Sequence, residues 1–488
     1  MLPRIVCSAM SGVQGSYDAI VVGSGPNGLV AAITLAKAGR SVLLLEANDA
    51  PGGGCRSAEL TLPGYVHDIC SAVFPVAVLS PVFRQIGLER LGVEYVSPDI
   101  ALAHPLPDGQ VVILPRSLDA TAAQLGGDGK AWVDLMRPFA DKGFMEGLLG
   151  PIWFDRSALW RKLRFGLLGL RSCDSLAKRR FAGAKARALF AGCAAHSLMA
   201  LNRPGTASFG LVMALSNHVA GWPFVRGGSQ GITNALVHRF GEYGGVLKLG
   251  QRVSTLDQLP ATRAILFDLN PHQIAAICGD ALPDGYRSRL TRFKRGPGIF
   301  KVDWALDGPI PWKNPECARA GTVHVGGTYE EISHGEKQVA RGIAPEKPFV
   351  LLAQQSAFDN TRSPAGKHTG WAYCHVPNGC TEDMTARIEA QVERFAPGFR
   401  DRILARHTIN PAQLEKHNAA MAGGDISGGA NFLPQFLFRP VPRWNPYATP
   451  NPKIFICSSS TPPGGGVHGM SGYLAACAAL RKQFRPNA

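Results

Sequence analysis

At 488 residues the chain exceeds the usual size of one compact core, so two domains, or one with large insertions, are expected. Its 45% hydrophobic and 18% charged residues exclude a disordered chain. The excess of 51 Lys plus Arg over 36 Asp plus Glu, a formal charge of +15, favours anionic partners, yet no zinc-finger spacing, aromatic RNA-binding signature or basic zipper accompanies it, so nucleic acid is not expected. Eleven cysteines, an odd number without paired spacing, argue against a disulfide scaffold and for a reducing, cytoplasmic compartment. The opening MLPRIVCSAMSGVQGS matches a signal peptide poorly and reads as a loose tail. No apolar run approaches the roughly 18 to 20 residues of a membrane span, which leaves a soluble or peripheral protein.

The first elements, over residues 17–46, are a strand, a glycine turn, a helix and a second strand. YDAIVVG is β-branched and apolar, LVAAITLAKAG is helix-forming and stops at a glycine, and SVLLLE reads as a buried strand. The turn GSGPNG sets Gly23, Gly25 and Gly28 in the spacing of a dinucleotide fingerprint, with Ser24, Pro26 and Asn27 between them. Gly23 permits the tight turn and Gly25 lets backbone N–H groups approach a pyrophosphate. Gly28 lets the helix pack on the strand while its N-terminus faces the phosphate charge. Glu46, at the end of the second strand and followed by Ala47, is placed to accept hydrogen bonds from a ribose. The fingerprint alone does not separate NAD from FAD, since both present a ribose and a pyrophosphate. A second glycine loop follows in EANDAPGGGCRS, where Gly53 and Gly54 leave room for a close ligand and Arg56 sets a permanent cation near phosphate or flavin.

From about 100 to 224 the pattern turns helical and basic after one strand run, QVVILP, and reads as an insertion. After Gly227 the helix GITNALVHRFGEYG and the short strands GVLKLG and QRVSTL return to the cofactor-binding part, and AILFDL reads as another core strand. The next segment alternates strand runs (GIFKVDWAL, PFVLLAQQ, GWAYCHV) with a helix near 382–395, as expected of a sheet that roofs a substrate cavity. The expected class is α/β: a Rossmann-like dinucleotide domain assembled from residues 17–100, 225–295 and 440–488, with an inserted α+β substrate or lid domain from 101–224 and 296–439.

The chain closes with the strand PKIFICSS, a glycine-rich loop and a helix from about Gly469. Gly464, Gly465 and Gly466 let the backbone pass close to a flat ligand, and the positive end of the helix behind them suits an anionic ring. Val467, His468, Gly469 and Met470 are the candidate neighbours of that ring, and Ser459, Ser460 and Gly466 further candidate cofactor-binding positions. A merely capped terminal helix has the same pattern.

Together, GSGPNGLVAAITLAKAG, LEANDAPGGGCRS and SSSTPPGGGVHGMSGYLAACAAL resemble the phytoene desaturase and flavin amine oxidase superfamily, nearly end to end. Within it, ELTLPGYVHDICSA, GWPFVRGGSQG, GPGIFKVDWALDGPIPW and MAGGDISGGA resemble the phytoene-dehydrogenase-related proteins. The resemblance implies a glutathione-reductase-like Rossmann domain with noncovalent FAD, its adenosine near Gly23 to Glu46 and its flavin near the last helix. It also implies that Val253, in GQRV, meets the adenine edge through its backbone. Many related flavoproteins carry an aspartate at the strand end where this chain has Ser458, Ser459 and Ser460. Flavin amine oxidases carry a lysine at the place of Lys301, holding a water against flavin N5, whereas phytoene desaturases lack an obvious counterpart.

Read as a strand, GIFKVDWAL puts Phe300, Val302, Trp304 and Leu306 on one apolar face and Lys301 with Asp303 on the other. Lys301 is then a catalytic cation, a surface lysine or a salt bridge to Asp303. His468, like His67 and His218, is a candidate acid or base, although hydride transfer to a flavin requires none. No cysteine pair has redox-active spacing, and no second fingerprint marks a stable NAD(P) site. The expected function is an FAD-dependent oxidoreductase, a dehydrogenase, desaturase or oxidase, that removes hydride from a lipophilic small molecule. A flavin-dependent isomerase or saturase, or a non-catalytic FAD-fold scaffold, fits the same motifs. The stretch 145–190 mixes Trp153, Phe154, Trp160 and Phe165 with cations that include Lys178, Arg179 and Arg180. It reads as a segment resting on an anionic membrane, or as a helical lid with solvated cations.

Overall fold

Two sheets organise the chain in the computed structural model, which describes residues 5–6, 16–150 and 159–484. The first has six strands, all parallel, in the order Ile5–Val6, Val246–Lys248, Val42–Leu45, Tyr17–Val22, Thr262–Phe267, Ile454–Ile456. Its central strands are continuous apolar runs, VLLL and AIVV, because helices cover both faces. The helix Pro26–Lys37 begins with proline in its first turn, where a missing N–H costs nothing. It packs against the closing helix Met470–Gln483 through Gly472, where an added Cβ would lie 1.9 Å from the Asn27 carbonyl oxygen. The two ends of the sequence are thereby locked side by side.

The second sheet has seven strands in the order Ile403–Ile409, Gly298–Leu306, His368–Val376, Val350–Ala353, Ala320–Val325, Ile100–Pro105, Val111–Pro115. Its neighbours pair antiparallel except Ala320–Val325 with Ile100–Pro105. The inserted helices lie against it. Ala184–Ala195 is rich in small residues, and Gly192 lets it approach so closely that a Cβ there would sit 2.6 Å from His324 Nδ1.

The βαβ unit, GVLKLG, AILFDL, GIFKVDWAL and the closing strand and helix form as expected. QRVSTL does not: after Val246–Lys248 the chain runs irregularly to the short turn Leu256–Gln258, and among the described residues no strand pairs with it. The opening tail is also corrected, because Ile5–Val6 pairs with Val246–Lys248 at the sheet edge. Ala320–Val325 and Ile403–Ile409 are strands that the sequence reading passed over. Trp153 and Phe154 lie outside the described residues. No helix among the described residues is long and apolar enough to cross a membrane.

Candidate functional site

The parallel strands end on one cavity of about 1680 Å³, lined by Val22, Leu45, Asp268 and Ser459 from those strand ends. Ligands of open parallel sheets bind at this carboxyl edge. The volume exceeds the ~300–1,000 Å³ of an ordinary single-ligand pocket, so it has room for a dinucleotide and a second molecule.

At the fingerprint end, Gly23, Ser24, Gly25, Pro26, Asn27, Glu46, Ala47, Gly53 and Gly54 all line the cavity. Glu46 Oε2 accepts from Ser24 N at 3.0 Å and Ser24 Oγ at 2.6 Å, and Oε1 accepts from Asn48 N at 2.9 Å. A carboxylate offers about four lone-pair directions, so one remains on Oε1 for a further donor. Buried Asn27 Oδ1 has no hydrogen-bond partner. Gly28 lies one layer deeper: a Cβ there would meet the Gly23 carbonyl oxygen at 2.0 Å, which makes it the residue that closes the turn. Gly53, at φ +55°, sits with its would-be Cβ 3.0 Å from Gly25 Cα, so the second glycine loop presses on the first. Val253 lines the cavity with Gln251 and Arg252. Arg56 does not line it, and its guanidinium is 3.9 Å from Asp49.

Asp268, which the motif reading passed over, follows the strand Thr262–Phe267 and faces all three fingerprint glycines. Its Oδ2 accepts from Gly28 N at 3.0 Å. Withdrawal from water raises its pKa to about 7, with the Gly28 N–H opposing and Glu46 adding to the rise. An acid at a strand end beside the fingerprint was the available signal.

At the other end of the cradle, Ser459, Gly465, Gly466, Val467 and His468 line the cavity, while Ser460, Gly469 and Met470 stand behind it. Gly469, at φ +68°, caps the closing helix. Buried His468 is fully engaged with its own loop: Nδ1 accepts from Met470 N at 3.0 Å, which leaves Nε2 to donate to the Gly464 carbonyl at 3.2 Å. Burial lowers its pKa to about 4, so the ring is neutral. The segment 72–76, also unmarked in the sequence, lines the cavity beside this loop, and four residues beyond it Ser80 Oγ donates to the His468 carbonyl at 2.6 Å.

The seven-stranded sheet forms the roof with Ile299, Thr322, His324, Leu351, Trp371 and Tyr373, and the inserted helices add His196, Val212, Met213 and Trp222. These residues come from strands and helices far apart in the chain, which is why no local motif marks them. Lys301 is not among them. It is 0% exposed, ion-paired with Asp303, and 5.6 Å from the centre of the Trp371 ring. Asp303 also lies 3.6 Å from His67 Nδ1 and from His407 Nδ1. The polar face expected for this strand is therefore a sealed charge cluster, with Lys301 neither on the surface nor on the cavity wall. Burial lowers the His67 pKa to about 4. His218 stands apart, accepting from Trp132 Nε1 at 3.3 Å.

Two exposed apolar segments border the cavity. The helix Leu159–Gly169 exposes Leu159, Trp160, Leu163 and Leu167, and residues 437–444 expose Leu437, Phe438 and Trp444. Leu170, Leu437, Phe438 and Trp444 are both exposed and on the cavity wall, which marks this edge as its mouth.

Residues 21–86 match the family described as an NAD(P)-binding Rossmann-like domain. The chain is 25% identical to pyridine nucleotide-disulfide oxidoreductase domain-containing protein 2 of Mus musculus, across 97% of this chain and 95% of that one. It is 24% identical to the lycopene-forming phytoene desaturase of a Paracoccus species, across 94% and 96%. Among solved structures it shares the fold of putrescine oxidase in complex with putrescine, with a TM-score of 0.59 and 16% identity over 95% of this chain and 98% of the other.

Proposed function

We propose that this chain, an oxidoreductase of the phytoene desaturase and flavin amine oxidase superfamily, binds FAD along the fingerprint and the 463–468 loop and takes hydride from a largely apolar substrate under the seven-stranded sheet. The observation that carries the reading is the single cavity, which joins a dinucleotide cradle to an aliphatic and aromatic chamber. The residues present fit FAD. Glu46 keeps a lone pair for a ribose hydroxyl, Asn27 Oδ1 lacks a partner, and the first turns of Pro26–Lys37 and Met470–Gln483 put two positive helix ends along one path. Val253 stands on the wall where an adenine edge would pass. FAD, when bound, supplies the two-electron redox chemistry.

The chain's own part is orientation and exclusion of water. Ile299, Leu351, Trp371 and Tyr373 give the substrate an apolar wall, which favours alkene-like or other lipophilic molecules over small polar ones. His468 holds the glycine loop in shape and moves no proton, since both ring nitrogens are bonded to backbone. Lys301 stands apart from the chamber wall, ion-paired with Asp303 and with its Nζ near the Trp371 ring, so its part is structural. The exposed apolar mouth suits uptake of substrate from a lipid surface.

Anaerobic mixing of the FAD-loaded protein with candidate lipophilic alkenes, amines and alcohols tests the reading. Bleaching of the oxidised flavin band by an apolar compound is the expected result. Protein that stays colourless after FAD is added would overturn the cofactor assignment; bound flavin that no lipophilic donor reduces would overturn the substrate class.

A further inference from the structure

We infer that Asp268 couples dinucleotide binding to a proton: its carboxyl occupies the anion-binding end of the helix Pro26–Lys37 and has to be neutral when a pyrophosphate settles beside Gly25. The inference rests on the FAD reading above and adds a condition to it. The position of Asp268 is fixed by the sheet, since its N–H donates to the Val22 carbonyl at 2.8 Å. Methyl groups built on Gly23, Gly25 and Gly28 would fall 2.8 Å from its carbonyl oxygen, 2.6 Å from Oδ2 and 3.1 Å from Cβ. The three glycines are therefore small toward this residue as well as toward a ligand. A fingerprint offers the N–H groups of its first turn to phosphate, and here one of them, Gly28 N, is already bonded to a carboxylate.

The surroundings favour the neutral form. Among the described residues no salt bridge reaches Asp268; Glu46 faces it from the end of Val42–Leu45, the Cys457 thiol from the end of Ile454–Ile456, and the Gly28 N–H from the helix. Only the last favours the anion. Asp268 is half-buried on the cavity wall, so a covering dinucleotide would strip its remaining water and place phosphate charge beside it. Both changes raise its pKa above the value of about 7 in the free protein. Once protonated, the carboxyl becomes an O–H donor that a phosphate oxygen can accept.

The sign follows from linkage. Below about pH 7 the free protein already carries the proton and binding is not penalised. Above it, each binding event takes one proton from solvent, and affinity falls about tenfold per pH unit.

The test is titration of the full chain with FAD from roughly pH 6 to pH 9, a span set by the carboxyl's raised value. Calorimetry in two buffers of different ionisation enthalpy counts the protons taken up. The expected result is a Kd that is level up to about pH 7 and then rises about tenfold per unit, with uptake approaching one proton. Asp268→Asn, which keeps the shape and cannot ionise, should show neither and should bind about a hundredfold tighter than the unaltered chain near pH 9. A level Kd with no proton uptake in the unaltered chain overturns the inference while leaving the FAD reading intact, and so does an undiminished slope in Asp268→Asn. Failure to bind FAD at every pH overturns the FAD reading itself and the inference with it. The proton count is made on the unaltered chain, so it decides the matter even if the variant folds poorly.

Discussion

Gly25 and Gly28 resist a side chain for different reasons, and the difference can be measured. Gly28 faces the Gly23 carbonyl at 2.0 Å, a backbone group that cannot turn aside, whereas Gly25 faces the tip of Asp268 at 2.6 Å. The Gly25 backbone, at φ −62°, accepts any residue, so only the contact opposes alanine there. Gly25→Ala should cost about 1–3 kcal/mol of overcrowding, most of it recovered in an Asp268→Ala background, while Gly28→Ala should not be rescued. Urea unfolding of the two double-mutant cycles gives the coupling directly. Lys301 belongs to the same scale. Lys301→Met leaves the Asp303 carboxylate buried without its principal counterion, and breaking such a pair costs ~3–5 kcal/mol. The expected outcome is a lower urea midpoint with flavin reduction nearly unchanged in the folded fraction; slowed reduction at full stability would return Lys301 to the chemistry. The period-two pattern correctly put Lys301 and Asp303 on one side of their strand. It could not say that His67 and His407, distant in sequence, would cover that side.

Elements were legible where backbone chemistry is local. The strand, glycine turn and helix of residues 17–46 carry their own signals, and so do the last strand and helix, so both ends of the cradle could be read before any fold was known. Three roof strands, in GIFKVDWAL, PFVLLAQQ and GWAYCHV, also announced themselves, whereas the segment 72–76 and the roof strand Ala320–Val325 did not, because their part in the cavity is set by what packs opposite them. The mouth shows the same division. The basic aromatic helix was visible in the sequence, but its partner at 437–444 was not, and together they expose Trp160 at 80% and Trp444 at 100%. The exposed indole of Trp444 on the cavity wall and that of Trp160 on the helix Leu159–Gly169, with exposed Arg164 on that helix, suit a bilayer carrying anionic headgroups. Sedimentation with anionic vesicles at low salt should exceed that with neutral ones and fall as salt is added. Replacing Trp160 and Trp444 together by Ser should lower partitioning at least about tenfold, since indole burial contributes independently of charge. Equal sedimentation with both vesicle types, unmoved by the double substitution, would remove the surface from consideration.

For the whole molecule, the fold holds several buried histidines neutral, and this ties stability to pH. His67 sits in the Asp303 cluster, His104 on the roof strand Ile100–Pro105, and His468 in the closing glycine loop; all three are buried, and burial lowers each pKa to about 4. Each folded pKa is below the unfolded value near 6.5, so the contribution of each ring is fully present above that pH and is lost as pH falls toward 4. At about 1.4 kcal/mol per pH unit, each ring loses on the order of 3 kcal/mol across the window, and the three together approach the net stability of a typical domain. Asp268 works in the opposite direction, since its raised pKa favours the folded chain as pH falls through 7, but the histidines lowered by burial outnumber it. Thermal midpoints followed by circular dichroism should therefore be level above about pH 7, decline below 6.5, and collapse near 4. The decline should be cooperative, because the three rings lie in separate parts of the fold: the hairpin Ser57–Glu59/Val66–Asp68, the seven-stranded sheet and the closing glycine loop. His104→Phe offers the cleanest check: its Nε2 bonds only the Gly327 carbonyl and its Nδ1 has no partner, so the exchange should make the slope measurably shallower without abolishing it, since His196, His218, His324 and His417 are lowered by burial as well. Midpoints that stay level from pH 7 to about 4.5 would mean that water reaches these rings in the folded chain and that they titrate as free imidazoles.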